Sequence, residues 1–500
     1  MSLLVNEDVL KMYDTDSRIK ALRKYWGDST EKGLTLRGVL ASFKSVVIAT
    51  AGCRQNLVVC QERDYAPYLY HDLTKFIGED KVYFLPSSFK KTPEAKGYDP
   101  QNKQLRTEAI SKLLSLEPVT IVTYAEALCE KVVSEQVFSD NTLNITVGES
   151  LSVSFLVDML IEYGFQRVDF VSEPGQYSLR GSIVDIFSFA DDKPYRLDFF
   201  GDEVDSIRTF ELESQLSVER LDRVTIIPDF SGRDNAGVLL PLSAVLDEQC
   251  AVWFEGRENI HQFIDSTYAC VVESESDSAR VSLSMFSTAG EWFDALNNKW
   301  VDMSEQPTTD GVIDFAIVGQ PNFKKNFDLL EDDMYYRISD GYQVFILSDN
   351  SRQHERIKEI LSMRKRRLKY KEIRLTLHEG FVDKVAQRCF YTDHQIFERF
   401  HRYSLRNEKM RKAQQSISLR ELSALNVGDY VVHIDHGIGV FGGLVTTEAN
   451  GKAFEAVRLT FKDGDTLLVN VQSLHRISKY RGKDGVEPKI SKLGTAAWSR

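Results

Sequence analysis

Residues 35–52 read TLRGVLASFKSVVIATAG, and this stretch sets the expectation for the first part of the fold. TLRGV has the composition of a strand, and KSVVIATAG can follow it as a helix. A strand, turn and helix in that order bind nucleotide when the turn reads G-x-x-x-x-G-K-[S/T]. Gly38, Lys44 and Ser45 match that pattern, but Phe43 stands where the second glycine belongs. Glycine there lets backbone amides curl around phosphate, whereas a phenyl ring restricts the backbone and fills the anion's space. The reading is a degenerate, inactive phosphate loop at Gly38, Phe43, Lys44 and Ser45, with no ATP hydrolysis and no cofactor. No intact copy occurs elsewhere: Gly451-Lys452 runs into Ala453, and Gly482-Lys483 into Asp484. Leu246-Asp247-Glu248 follows apolar residues as a metal-binding acidic pair would, and is expected instead to end a helix.

Around this loop the chain reads as α/β. Strands are expected at Asn56–Gln61, Lys81–Leu85 and Thr120–Thr123, with helices at Asp64–Phe76 and over RTEAISKLLSL. Alternation of this kind implies a parallel sheet with crossovers. Five hundred residues exceed one hydrophobic core and call for several domains. No apolar run reaches the roughly 18 residues needed to span a bilayer, and the start lacks a signal-peptide core. A cytoplasmic protein with no membrane partner is expected. The six cysteines are scattered without a C-x-x-C pair, which predicts reduced thiols and no metal site.

Net charge is −12, yet Ser351–Arg420 holds 19 Lys and Arg against 8 Asp and Glu. A basic stretch in an acidic protein can face phosphates or an acidic partner, or be a solvated helix surface. It closes a unit with a strand at 342–347 and a helix at His354–Leu368. Helices are also expected at Ser152–Tyr163, Leu239–Asp247 and Ile260–Ser266, with a strand at Ala251–Glu255.

Residues 173–215, EPGQYSLRGSIVDIFSFADDKPYRLDFFGDEVDSIRTFELESQ, predict an antiparallel hairpin. Strand alternation puts Tyr195, Leu197 and Phe199 on the core face, and Arg196, Asp198 and Phe200 on the other. Charges around one large ring suit a binding patch. The plainer alternative has Phe200 under a loop and Arg196 paired with Asp198 or Asp202. The run PGQYSLRGSIVDIF…PYRLDFFGDEVDSIRTF resembles a segment shared by transcription-repair coupling factors and the excision-repair helicase UvrB. In both families this module docks UvrA, the damage-recognition ATPase. The resemblance implies UvrA binding at Arg180, Arg196 and Phe200. Because UvrB keeps a working ATP site, Phe43 favours the coupling factors.

Residues 425–480 alternate short strands with turns at Asp435-His436-Gly437, Asn450-Gly451 and Asp463-Gly464, which predicts a small SH3-like β-barrel. His433-x-Asp435-His436 is read as a tight corner rather than a metal cluster. The segment resembles the RNA-polymerase-interaction domain of coupling factors, shared with CarD-type regulators. Such domains offer a sheet edge to the polymerase β subunit. The resemblance implies a contact strand at Leu444, Val445, Thr446, Thr447 and Glu448, with Thr447 where the family often carries a larger residue. KLGTAAWSR then resembles the entry to the family's translocase motor.

The expected architecture is a multidomain α/β protein with a UvrB-like parallel-sheet body. Its domains are a degenerate P-loop part (1–115), an inserted α+β UvrA-binding module (116–207) and the second part of the body (208–333). A small α/β domain (334–420), the CarD-like barrel (424–480) and a linker (481–500) follow. The resemblance implies an adaptor, taken as a monomer, that joins the stalled polymerase β subunit to UvrA. DNA is expected to be engaged mainly by a motor absent from this chain. Two rivals stay open: an active UvrB-like ATPase, which needs phosphate at Gly38–Ser45, and a DNA-binding module using Arg364, Lys365, Arg366 and Arg367.

Overall fold

The computed structural model describes residues 4–28, 30–88, 100–191, 193–212, 214–228, 230, 239–275, 283–397, 427–433, 436–449, 452–470 and 477–479. The runs QNLVVC and VTIVTY are apolar or β-branched almost throughout, so they need cover on both faces. Gln55–Cys60 and Val119–Tyr124 obtain it, being buried at every residue in a seven-stranded sheet. Its order is Val312–Asp314, Gly33–Arg37, Trp300–Met303, Ala251–Phe254, Gln55–Cys60, Val119–Tyr124, Val82–Leu85, and all neighbours are parallel. Helices Phe43–Thr50, Ala66–Ile77 and Pro100–Leu114 lie between the early strands in sequence.

Val119–Tyr124 sits inside this sheet, so the boundary expected at 115/116 moves downstream. The chain divides into one unit of 1–141 with 230–405 and another holding 142–229 and 406–500. The helix expected over Leu239–Asp247 is also corrected. Leu239–Leu240 is a short strand paired with Val132–Val133, and only Leu242–Val245 turns as a 3-10 helix after Pro241. Asp247 forms the next turn: its carboxylate accepts from the Gln249 N–H at 2.9 Å, its carbonyl from the Cys250 N–H at 2.9 Å. Leu246-Asp247-Glu248 therefore leads into strand Ala251–Phe254.

The first unit contains a second sheet, in the order Leu4–Val5, Lys371–Arg374, Gln343–Leu347, Arg388–Thr392, Phe381–Asp383, Ile317–Gly319. Arg18, almost fully buried, ties the N-terminal helices to it. Its guanidinium donates to the Phe315 carbonyl at 2.6 Å and to both Asp383 oxygens at 3.1 and 2.7 Å. The helix expected over His354–Leu368 runs Ser351–Ser362, capped by the Asn350 side chain, which accepts from the Arg352 N–H at 3.0 Å. The chain leaves the helix as Arg364 and Arg366 pair with Asp328 and Asp332 on helix Phe327–Ser339 and Leu368 joins the core. The cations at 364–367 thus lie past the helix end.

Within 142–229 a six-stranded sheet runs Ser217–Leu221, Glu203–Phe210, Tyr195–Phe200, Ile183–Phe187, Gln176–Arg180, Gln166–Arg167. Helix Val153–Glu162 contributes Leu156 and Leu160 to a core with Tyr177, Val184, Ile186, Leu197, Phe199, Val204 and Ile207. The Ser152 hydroxyl caps it, accepting from the Phe155 N–H at 3.3 Å.

The C-terminal segment forms a five-stranded antiparallel sheet ordered Thr466–Asn470, Lys452–Thr460, Gly437–Ala449, Tyr430–His433, Ile477–Lys479. Val431, Phe441, Val457, Leu459, Phe461, Val469 and Ile477 form its core. The register shifts between Phe441 and Leu444, where Gly443 takes φ +91°. The end of the basic stretch, residues 398–420, and the segment 481–500 lie outside the described residues.

Candidate functional site

The loop after strand Gly33–Arg37 turns at Gly38, whose φ is +65° and where an added Cβ would fall 2.9 Å from the Ala316 nitrogen. Phe43 opens the following helix with its ring fully buried against Tyr13, Phe315 and Phe381, at centroid separations of 5.1, 5.7 and 5.2 Å. The Lys44 and Ser45 amides donate to the carbonyls of Ala41 and Ser42 at 3.3 and 3.2 Å. The Ser45 hydroxyl donates to the Ser42 carbonyl at 2.6 Å. These two amides and the hydroxyl are thus bonded within the loop itself.

Lys44 Nζ pairs with the Glu255 carboxylate and lies 4.6 Å from the centre of the Tyr65 ring. The second sheet closes over the loop from residues 376–381. The Glu379 N–H donates to Ser42 Oγ at 2.8 Å, and the His378 N–H to Asp72 at 2.9 Å. Asp72 is buried, and desolvation pushes its carboxyl up to about 7 despite hydrogen bonds from Ser42 and His378. Burial likewise raises Glu379, with Lys44 opposing and Glu255 reinforcing the shift. Glu255 and Glu379 thus both act on Lys44.

Glu255 was absent from the residues singled out in the sequence. Its signal was an apolar strand, AVWF, ending in an acidic residue beside the phosphate-loop sheet, a better match to an acidic partner than Asp247.

On the 142–229 sheet the alternation holds: Leu197 and Phe199 are buried, while Phe200 is 83% exposed. Arg196 and Arg180 both converge on Asp185, a fully buried carboxylate on the neighbouring strand. Arg196 grips it with two bonds, Nε to Oδ1 at 2.7 Å and Nη2 to Oδ2 at 2.9 Å, and donates from Nη1 to the Gln215 carbonyl at 3.0 Å. It lies over the Phe210 ring at 4.6 Å and is 15% exposed, against 38% for Arg180. Asp198 pairs with Arg208 rather than with Arg196. Phe200 is not tucked under a loop, and Arg196 is paired, but with Asp185.

In the C-terminal sheet, strand Gly437–Ala449 pairs with Tyr430–His433 only through Val440, whereas its other edge pairs with Lys452–Thr460 along 440–449. Among the described residues no strand covers the first edge over Leu444, Val445, Thr446, Thr447 and Glu448. Leu444 is 51% exposed. The His433 and His436 rings stack at 4.7 Å, and Asp435 lies outside the described residues. Among the described residues there is no cluster of three potential metal ligands, and no helix long and apolar enough to cross a membrane.

Residues 143–230 match the family model for the UvrB interaction domain, and residues 425–481 that for the CarD-like/TRCF RID domain. The transcription-repair-coupling factor of Bacillus subtilis is 23% identical over 93% of this chain and 46% of its own length. Those of Staphylococcus haemolyticus and Staphylococcus aureus strain NCTC 8325 are each 22% identical over 97% of this chain and 48% of their own. The chain is related to the transcription-repair-coupling factors. It spans about half the length of these coupling-factor relatives. Each matched segment holds one of the candidate surfaces: Arg180, Arg196 and Phe200 in the first, the strand edge over 444–448 in the second. The phosphate loop falls outside both matched segments.

Proposed function

We propose that this chain is a coupling adaptor that recruits UvrA through the Arg180, Arg196 and Phe200 face and holds RNA polymerase through an edge strand in its C-terminal domain. The observation that carries the reading is Phe200, a large ring left in solvent on the same strand face as Arg196, within the segment that matches the UvrB interaction domain. An exposed aromatic ring with neighbouring guanidinium groups has the composition of an interface centre. The polymerase β subunit is the partner assigned to residues 444–448, where, among the described residues, no strand covers an edge that could extend the sheet. We further take the C-terminal strands to form an SH3-like barrel and the adaptor to be monomeric and cytoplasmic.

The chain itself is proposed not to hydrolyse ATP. The paired Lys44, the internally bonded amides and the neighbouring carboxyl groups support this. DNA translocation would belong to a motor elsewhere in a longer protein. The DNA-binding reading of 364–367 draws less support, because Arg364 and Arg366 are already paired with Asp328 and Asp332.

Binding assays with two baits, UvrA and the polymerase β subunit, test the proposal. Replacing Arg180, Arg196 and Phe200 together should weaken UvrA binding at least tenfold and leave β-subunit binding unchanged. Equal UvrA binding by a folded triple variant overturns the docking assignment.

A further inference from the structure

We propose that Asp185 is the positioning residue of the docking face, the buried carboxylate that locks two arginines into the arrangement their partner recognises. The inference rests on the UvrA-docking reading above and adds a residue that reading does not include. Asp185 is fully buried on strand Ile183–Phe187, opposite Arg196 on one neighbouring strand and Ser178 on the other. A lone buried carboxylate would be strongly destabilising, and the sheet places two guanidinium groups against it instead. Arg196 takes both oxygens, and Arg180 takes Oδ2 from the other side. Each guanidinium also lies against a ring, Arg196 over Phe210 at 4.6 Å and Arg180 over Phe170 at 5.2 Å.

These contacts fix two long side chains that would otherwise sample many rotamers, so their ordering cost is met before any partner arrives. They also leave donors to spare. Arg196 has five N–H groups and uses three; Arg180 has one N–H on Asp185 and is the more exposed of the two. With one carboxylate between two arginines, the cluster keeps a net positive charge. A partner that fits presents carboxylates to the guanidinium edges and an apolar pocket to Phe200. Arg196, at 15% exposure, serves chiefly as a strut, and Arg180 with Phe200 as the contacts.

The test is a double-mutant cycle on the whole chain, with UvrA affinity and melting temperature both read. Asp185→Asn keeps the shape and one acceptor while removing the charge that holds the forks. It should weaken UvrA binding at least tenfold in the otherwise unchanged chain, and less than twofold once Arg180 and Arg196 are both alanine. A purely structural role predicts the same fold-loss in both backgrounds and overturns the inference. Arg196→Lys keeps the ion pair but not the two parallel bonds, and should by itself weaken binding at least fivefold with the fold intact. Full binding by Arg196→Lys also overturns it, and keeps the test decisive if Asp185→Asn does not fold. If the Arg180, Arg196 and Phe200 triple variant binds UvrA normally, the docking reading itself fails. If the triple variant loses binding while Asp185→Asn keeps it, only the positioning role fails.

Discussion

Lys44 and Glu255, 211 positions apart in the chain, meet as an ion pair with side chains only 11% and 18% exposed. Removing one partner strands the other charge. Lys44→Ala should therefore destabilise the first unit by about 1–3 kcal/mol, somewhat below the loss from a fully buried pair because both groups keep some water. Lys44→Ala with Glu255→Ala should recover part of that loss in urea unfolding curves. Millimolar Mg-ATP should shift neither midpoint, since a ligand that binds only the folded state must raise it. A rise that depends on Lys44 would reopen the ATPase reading.

Phe200 and Arg196 should separate binding from stability. Phe200→Ala removes a ring already in water, so UvrA affinity falls while the melting temperature stays within a degree or two. Arg196→Ala leaves Asp185 with Arg180 alone and should cost about 2–4 kcal/mol of stability as well as affinity. Thermal melts paired with titration of UvrA check both halves. A Phe200→Ala variant that unfolds early would mean the ring packs in solution.

The junction over the phosphate loop predicts a pH signature. Asp72 holds its proton up to about 7 when folded but releases it near 4 when unfolded, so its contribution to stability falls as pH rises between those values. His71 and His378, held down to about 4 chiefly by burial, act oppositely: the unfolded chain takes up their protons below about 6.5, so stability rises with pH from 4 to 6.5. Asp72→Asn deletes only the falling limb. Its melting temperature relative to the unaltered chain should climb from pH 5 to pH 8. A flat difference across that range would place the Asp72 titration outside it.

At the open strand edge, Thr447→Arg should weaken polymerase β-subunit binding without altering UvrA binding. The readout is co-purification of each bait with the same preparation. Unchanged β-subunit binding moves the contact away from 444–448.

Much of this was legible in the chain itself. The apolar runs at Asn56–Gln61 and Thr120–Thr123 announced strands of a parallel sheet, and YRLDFF announced its two faces, because strand periodicity maps directly onto burial there. The partners of charged residues were not legible. The plainer alternative for Arg196 named Asp198 or Asp202, its neighbours in sequence, as partners, but cross-strand register delivers Asp185. Glu255 escaped notice for the same reason, since only the parallel sheet brings it to Lys44. The helix expected to Leu368 stops at Ser362 because tertiary pairing with Asp328 and Asp332 overrides local helix propensity.

Strand Leu143–Thr146 pairs antiparallel with Arg223–Ile226, so the segment between them leaves and rejoins the chain at adjacent points. Such a segment is a cassette: it can be lifted out and its two cut ends bridged by a few flexible residues, with little demand on the rest of the polypeptide. Exchange of this cassette between distant relatives would carry the docking face proposed above from one chain to another as a single piece.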